Sequence, residues 1–161
     1  MKDILLKEQE KAGFKGIWIF TVRGKDGKIK SRNVYENLIP DIGLAQMGKA
    51  LVASLAAKAE IEINKTSLGS GTTAPAVGDT TLETEVFRKD IFSRSSSSTQ
   101  IFLTAAYSAG EATGTHKEAG LHINGTATVD TGILFSRVAI DEVVTATDTL
   151  TVDYTITLTS S

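Results

Sequence analysis

The sequence predicts an antiparallel β-sandwich, mostly strand, with one main α-helix over about residues 41–58 packed on it. Three observations predict it. The C-terminal segment alternates strictly, with Leu150, Val152, Tyr154, Ile156 and Leu158 on one face and Thr149, Thr151, Asp153, Thr155, Thr157 and Thr159 on the other. That period of two marks a strand with one face on the core and one on solvent or a neighbour. Short β-branched and aromatic runs, such as Ile17-Trp18-Ile19-Phe20-Thr21-Val22, recur between Gly-rich turns. Only the stretch carrying Leu44, Met47, Leu51 and Leu55 repeats apolar residues at long helical spacing.

The 161 residues, 41% hydrophobic and 22% charged, are enough for one domain with a core of its own. With six Phe, three Tyr and one Trp, that core is built mainly from Ile, Leu, Val and Ala. The absence of cysteine excludes disulfides, thiolate catalysis and cysteine zinc sites together. No apolar run approaches the ~20 residues that span a bilayer, and Met1 to Lys15 lacks the pattern of a signal peptide. The net charge of −2 hides an asymmetry: residues 1–60 hold eleven basic and seven acidic residues, and residues 61–161 hold six and twelve. Such a polar molecule can stack head to tail or dock its basic end on an acidic partner.

In chain order, residues 1–15 are expected to form an N-terminal arm or short helix, and residues 16–161 a single sandwich domain. Gly24-Lys25-Asp26-Gly27 supplies hairpin-turn chemistry between the Trp18 strand and a second one over Ile29 to Ile39. Pro40 ends that strand, and Asp41 is placed to cap the helix. The helix is expected to lay its leucine stripe on the sheet. Leu68 to Asp79 reads as a loop, Thr80 to Phe87 as a brief helical turn, and Arg88 to Arg94 as a strand. Ser95 to Ser98 reads as a hairpin tip, and Thr99 to Ser108 as the returning strand, with Ile101, Leu103, Ala105 and Tyr107 on one face. Thr115 to Ile123 and Ile133 to Ile140 follow as strands, separated by turns at Asn124-Gly125 and Asp130 to Gly132.

Catalytic patterns are missing. There is no Gly-x-Ser-x-Gly elbow, and Gly69-Ser70-Gly71 lacks the Lys-Ser/Thr of a phosphate loop. His116, Glu118 and His122 share a strand, but its rise sets the two imidazoles about 20 Å apart, too far for one metal ion. The expectation is solvent-facing histidines, no metal, no cofactor and no enzyme. The hairpin cations Arg23, Lys25, Lys28, Lys30 and Arg32 form a candidate basic contact surface. A pI near 5.7 nonetheless argues against nucleic acid as a partner.

Several short motifs occur in a fixed order: Leu68-Gly69-Ser70-Gly71-Thr72-Thr73-Ala74-Pro75, Thr80-Thr81-Leu82-Glu83-Thr84-Glu85 and Phe87-Arg88-Lys89. Then come Gly110-Glu111-Ala112-Thr113-Gly114, Lys117-Glu118-Ala119-Gly120-Leu121, Leu134-Phe135-Ser136-Arg137-Val138 and the threonine-rich last strand. In this order they resemble a family of small bacteriophage virion proteins, over residues 40–161. The resemblance implies a subunit of the particle, in the tail, at the fibre anchor or on the capsid. Such a subunit would be made in the host cytoplasm and would assemble as a symmetric homo-oligomer beside other virion proteins, with no membrane contact. Within the shared residues, Leu82 is expected to plug the core while Glu83 and Glu85 stay solvated. Arg88, Glu118 and Arg137, on three separate strands, are expected to meet as a cross-strand ionic cluster that sets register. A glycan- or receptor-binding module on the same scaffold is the alternative, with Trp18, Tyr35, Tyr107 and Tyr154 the aromatic candidates. Of these, Trp18 and Tyr154 are patterned as core.

Overall fold

The computed structural model describes residues 13–52, 54 and 61–159. Among them are nine strands and one helix: β1 (Gly13–Arg23), β2 (Ile29–Glu36), α1 (Asp41–Val52), β3 (Ile63–Gly69), β4 (Glu85–Asp90), β5 (Ser93–Ser97), β6 (Gln100–Tyr107), β7 (Gly114–Ile123), β8 (Ile133–Val144) and β9 (Thr149–Thr159). They form two packed antiparallel sheets, a five-stranded one ordered β2-β1-β9-β6-β5 and a four-stranded one ordered β4-β3-β7-β8. The sandwich with one helix is therefore the fold.

The period-two strands supply the core. Trp18, Phe20 and Val22 of β1, Leu103, Ala105 and Tyr107 of β6, and Leu150, Val152, Tyr154 and Ile156 of β9 are buried. They face Leu68, Ala119, Leu121, Ile123, Phe135, Val138 and Ile140 of the other sheet. Trp18 stacks on Phe20 and meets Tyr154 edge-on, with centroids 5.7 and 4.8 Å apart. Burial pushes the Tyr154 hydroxyl up to about 12, against hydrogen bonds to Ser136 and Asn37.

Several boundaries differ from the sequence reading. β1 begins at Gly13, so residues 13–15 belong to the sheet, and the arm over residues 1–12 lies outside the described residues. β3 continues through Leu68 and Gly69, which the glycine-rich composition had assigned to the loop. No helical turn forms over residues 80–84, and Glu85 to Phe87 already pair with β3. Ser95 to Ser97 belong to β5 rather than the hairpin tip, and the turn falls at Ser98, whose φ is 51°.

The helix departs furthest from expectation. Its first turn closes on the carbonyl of Pro40, which accepts the N–H groups of Gly43 and Leu44. Of its residues only Gly43 is buried, against the backbone of Phe135. Met47 packs at the edge of the core, but Leu44 is exposed and Leu51 and Val52 are 82% and 86% exposed. The leucine stripe does not lie on the sheet. The expected helix residues Leu55 to Lys58 fall outside the described residues.

Candidate functional site

The four-stranded sheet carries its charge on its outer face, under loops. Arg88, Ser67, Gly120 and Arg137 stand opposite one another across β4, β3, β7 and β8. Glu85, Gly69 and Glu118 form the neighbouring row on the same face. Phe87, Leu68, Ala119 and Val138, between those rows, turn into the core. The three residues expected to meet as one cluster are thus on one face, but Arg88 and Arg137 are three strand spacings apart, about 14 Å. Each arginine instead takes the nearest carboxylate, giving two ionic clamps.

The first clamp is Arg137 with Glu118. Arg137 is 3% exposed and Glu118 1%. Arg137 Nε donates to Glu118 Oε2 at 3.1 Å, Nη1 to Asp79 Oδ2 at 2.5 Å and Nη2 to the carbonyl of Thr73 at 3.1 Å. Glu118 also accepts the N–H groups of Gly71, Glu83 and Thr84 at 2.7–3.1 Å. One buried carboxylate and one guanidinium therefore tie both ends of the 70–84 loop to the sheet. A buried pair is tolerated where hydrogen bonds satisfy the remaining lone pairs, as here. Burial raises the Asp79 carboxyl, but the Ala76 N–H and Arg137 outweigh it and leave it below its ordinary range. Gly71 is required by space, because a Cβ there would lie 2.5 Å from Glu118 Oε1 and Glu83 Cβ. Leu82 is buried as expected, and Glu83 stays exposed, its carboxylate accepting the Thr73 N–H.

The second clamp is Arg88 with Glu85. Nε and Nη2 reach the two carboxylate oxygens at 2.6 and 2.7 Å, and both side chains are buried. Glu85 is therefore not solvated, as the sequence reading had it. Arg88 Nη1 donates to the carbonyl and Oγ1 of Thr131 and to the carbonyl of Thr126, and Glu85 accepts the Asp130 N–H. This clamp holds the 124–132 turn on the sheet, where Asn124, Asp130 and Gly132 take positive φ.

Beside it, Ser67 Oγ lies 2.7 Å from His122 Nε2, and Glu85 Oε2 lies 3.9 Å from the same nitrogen. Burial, then the charge of Arg88, lower the His122 pKa to about 4 against the opposing pull of Glu85. A Ser–His–carboxylate set invites a nucleophile reading. Here, however, serine and carboxylate approach one ring nitrogen, and all three groups are buried, so no base is oriented and no substrate reaches Oγ. The sequence reading missed this trio, since Ser67 and Glu85 sit in segments it did not resolve into paired strands. His116 is buried too, its Nε2 2.8 Å from the Ala112 carbonyl, so both histidines turn inward rather than to solvent. Among the described residues no three His, Asp or Glu side chains converge to hold a metal ion.

The five hairpin cations are all exposed, and three of them have partners. Lys30 pairs with Asp148 at 2.8 Å, Lys28 with Asp26 at 3.5 Å, and Arg23 donates to the Gly27 carbonyl. Lys25 and Arg32 make no ion pair among the described residues. Of the aromatic candidates, Trp18, Tyr107 and Tyr154 are buried, and Tyr35 donates its hydroxyl to buried Glu142.

The outer face of the five-stranded sheet is different in kind. Glu36, Ile17, Thr155, Phe102 and Ser95 form one row across all five strands, and Val34, Ile19, Asp153, Thr104 and Ser93 the next. These outward residues are exposed or half-buried. Among the described residues no helix or strand packs over them. The face mixes threonine and serine with Ile17, Ile19, Phe102 and Val34, the last 56% exposed. No family model, no curated protein and no solved structure matches the chain.

Proposed function

We propose that this chain is a structural subunit of a bacteriophage particle, acting through subunit–subunit contacts in the tail or on the capsid. The observation that carries the reading is the contrast between the two sheets. The outer face of the four-stranded sheet is closed by its own loops, while the five-stranded sheet presents rows of Thr, Ser, Ile, Val and Phe to the outside. Threonine hydroxyls and methyls beside β-branched and aromatic side chains suit packing against another subunit. The buried clamps fit such a role, since they fix loops rather than bind or transform a small molecule. The order of short motifs, which resembles that of phage virion proteins, supports the particle as the place of assembly. The partners are then further copies of the chain in a symmetric oligomer and neighbouring virion proteins.

Light scattering over a range of protein concentrations, with electron microscopy of the same samples, tests the reading. A discrete oligomer, ring or tube is expected. Val34→Asp, which sets a charge opposite Ile19 on the bare face, is expected to raise the concentration of half-assembly about tenfold, equivalent to about 1.4 kcal/mol. A strict monomer at every concentration overturns the reading.

A further inference from the structure

α1 is docked on one side and bare on the other. Toward the sandwich it turns Gly43, which lies against the Phe135 backbone, and Met47, which packs at the edge of the core. Among the described residues, β8 is the strand it packs on. Away from that contact stand Leu44, Leu51 and Val52, spaced i, i+7 and i+8 and all exposed. That spacing sets them on one helix face. Large apolar side chains grouped on one exposed face mark a contact surface, whereas single ones need no explanation.

At its Leu44 end the stripe runs into a cavity of about 490 Å³ lined by Gly13, Phe14, Asn37, Leu38, Ile39 and Leu44. Gly13 is the first described residue of the chain, so residues 1–12 join the fold at this cavity, beside the stripe.

We infer that the outward face of α1 is the docking site of the chain's own residues 1–12. The point where that segment joins the fold sets how the two match. Gly13 is level with Leu44, and the segment runs back antiparallel to α1. With one helical rise per residue on both sides, Glu8 comes level with Lys49, Leu6 with Leu51 and Leu5 with Val52. The leucines of the segment thus fall beside the apolar end of the stripe. An acid falls beside Lys49, the basic residue of the last turn of α1. Leu44 to Val52 spans about 12 Å, and twelve residues cover about 18 Å as helix or about 40 Å extended. The other stretches of chain outside the described residues supply no such occupant. Residues 55–60 have Leu55 as their one large apolar side chain and are held between Ser54 and Ile61, and residues 160 and 161 are both serine. The segment therefore closes the helix within one subunit instead of reaching a neighbour.

The test uses the full chain, which has no cysteine of its own. Leu6→Cys combined with Leu51→Cys is oxidised and read by denaturing electrophoresis without reductant and by intact mass. A disulfide within single chains is expected in most of the protein. Leu6→Cys with Lys25→Cys is expected to form none, because Gly13 and Lys25 lie at opposite ends of β1, beyond the reach of residue 6. Hydrogen exchange gives a second reading. The α1 amides are expected to exchange at least tenfold faster in Leu6→Asp and in Leu51→Asp than in the wild type, with β9 amides unchanged as the control for folding. A Leu6–Leu51 cysteine pair that stays reduced, or that links only separate chains, overturns the inference, the second result giving the stripe to another copy's segment. Unchanged α1 exchange in both aspartate variants overturns it as well.

Discussion

Arg137 binds a loop, a neighbouring strand and an acid at once, and its partners show what its removal does. In Arg137→Met, Glu118 keeps its three amide donors but loses its cation while staying buried, Asp79 is left with the Ala76 N–H alone, and the Thr73 carbonyl loses the guanidinium donor. Breaking a buried pair in this way is expected to cost about 3 kcal/mol. Urea unfolding measures it, and adding Glu118→Gln is expected to cost less than the sum of the single changes, because both act on one network. His122 sets a second, pH-dependent term. Its pKa of about 4 lies below the unfolded value of 6.5, so the unfolded chain binds a proton first as pH falls. Stability from this group is complete above 6.5, declines through the window down to about 4, and amounts to about 3 kcal/mol in all. His122→Gln is expected to flatten the wild-type slope of unfolding free energy between pH 6.5 and 4. The same slope in both proteins would show that burial and the charge of Arg88 do not hold the imidazole neutral.

At the scale of the element, what the sequence made legible was which residues share a strand face. β9 follows its alternation closely, with Leu150 to Ile156 buried and the threonines outward, because period two is a property of the strand itself. The same logic placed Arg88, Glu118 and Arg137 on three strands correctly. It could not say which partner each arginine would take: Arg88 pairs with Glu85 three residues before it in the same strand, and Arg137 adds Asp79 from the 70–84 loop to Glu118. The helix was misread for a related reason. Leu44, Met47 and Leu51 are spaced for one stripe, but the sheet meets α1 where its backbone can come closest, at Gly43, whose added Cβ would lie 2.8 Å from the Phe135 carbonyl oxygen. Gly48, on the same helix, has nothing within 4 Å of that position. Gly43→Ala is therefore expected to destabilise the protein by about 1–3 kcal/mol through overpacking. Gly48→Ala is expected to stabilise it by roughly 0.5–1 kcal/mol through backbone entropy. Thermal melts of the two variants, shifting in opposite directions, check the assignment of the docking face.

For the whole molecule, the decisive pairing joins the beginning of the described chain to its end. β1 and β9 run together from Gly13↔Thr159 to Arg23↔Thr149, and β9 then carries β6 on its other side. The five-stranded sheet therefore has its last-made strand at its centre. Without β9, β1–β2 and β5–β6 are separate hairpins, and an isolated hairpin is marginal in water. Trp18 would also lose Tyr154, and Leu103 and Ala105 their cross-strand partners Tyr154 and Val152. Such non-local closure places folding in the slow, millisecond-to-second regime of sandwich topologies. It also makes the bare outer face a late product, since no subunit can present its threonine rows before β9 is in place. Deleting residues 149–161 is expected to abolish the cooperative thermal transition altogether, rather than lower its midpoint, with near-ultraviolet circular dichroism losing the Trp18 signal. A truncated chain that still melted cooperatively with that signal intact would mean that the four-stranded sheet and its two clamps hold the core by themselves, and that β9 serves the surface rather than the fold.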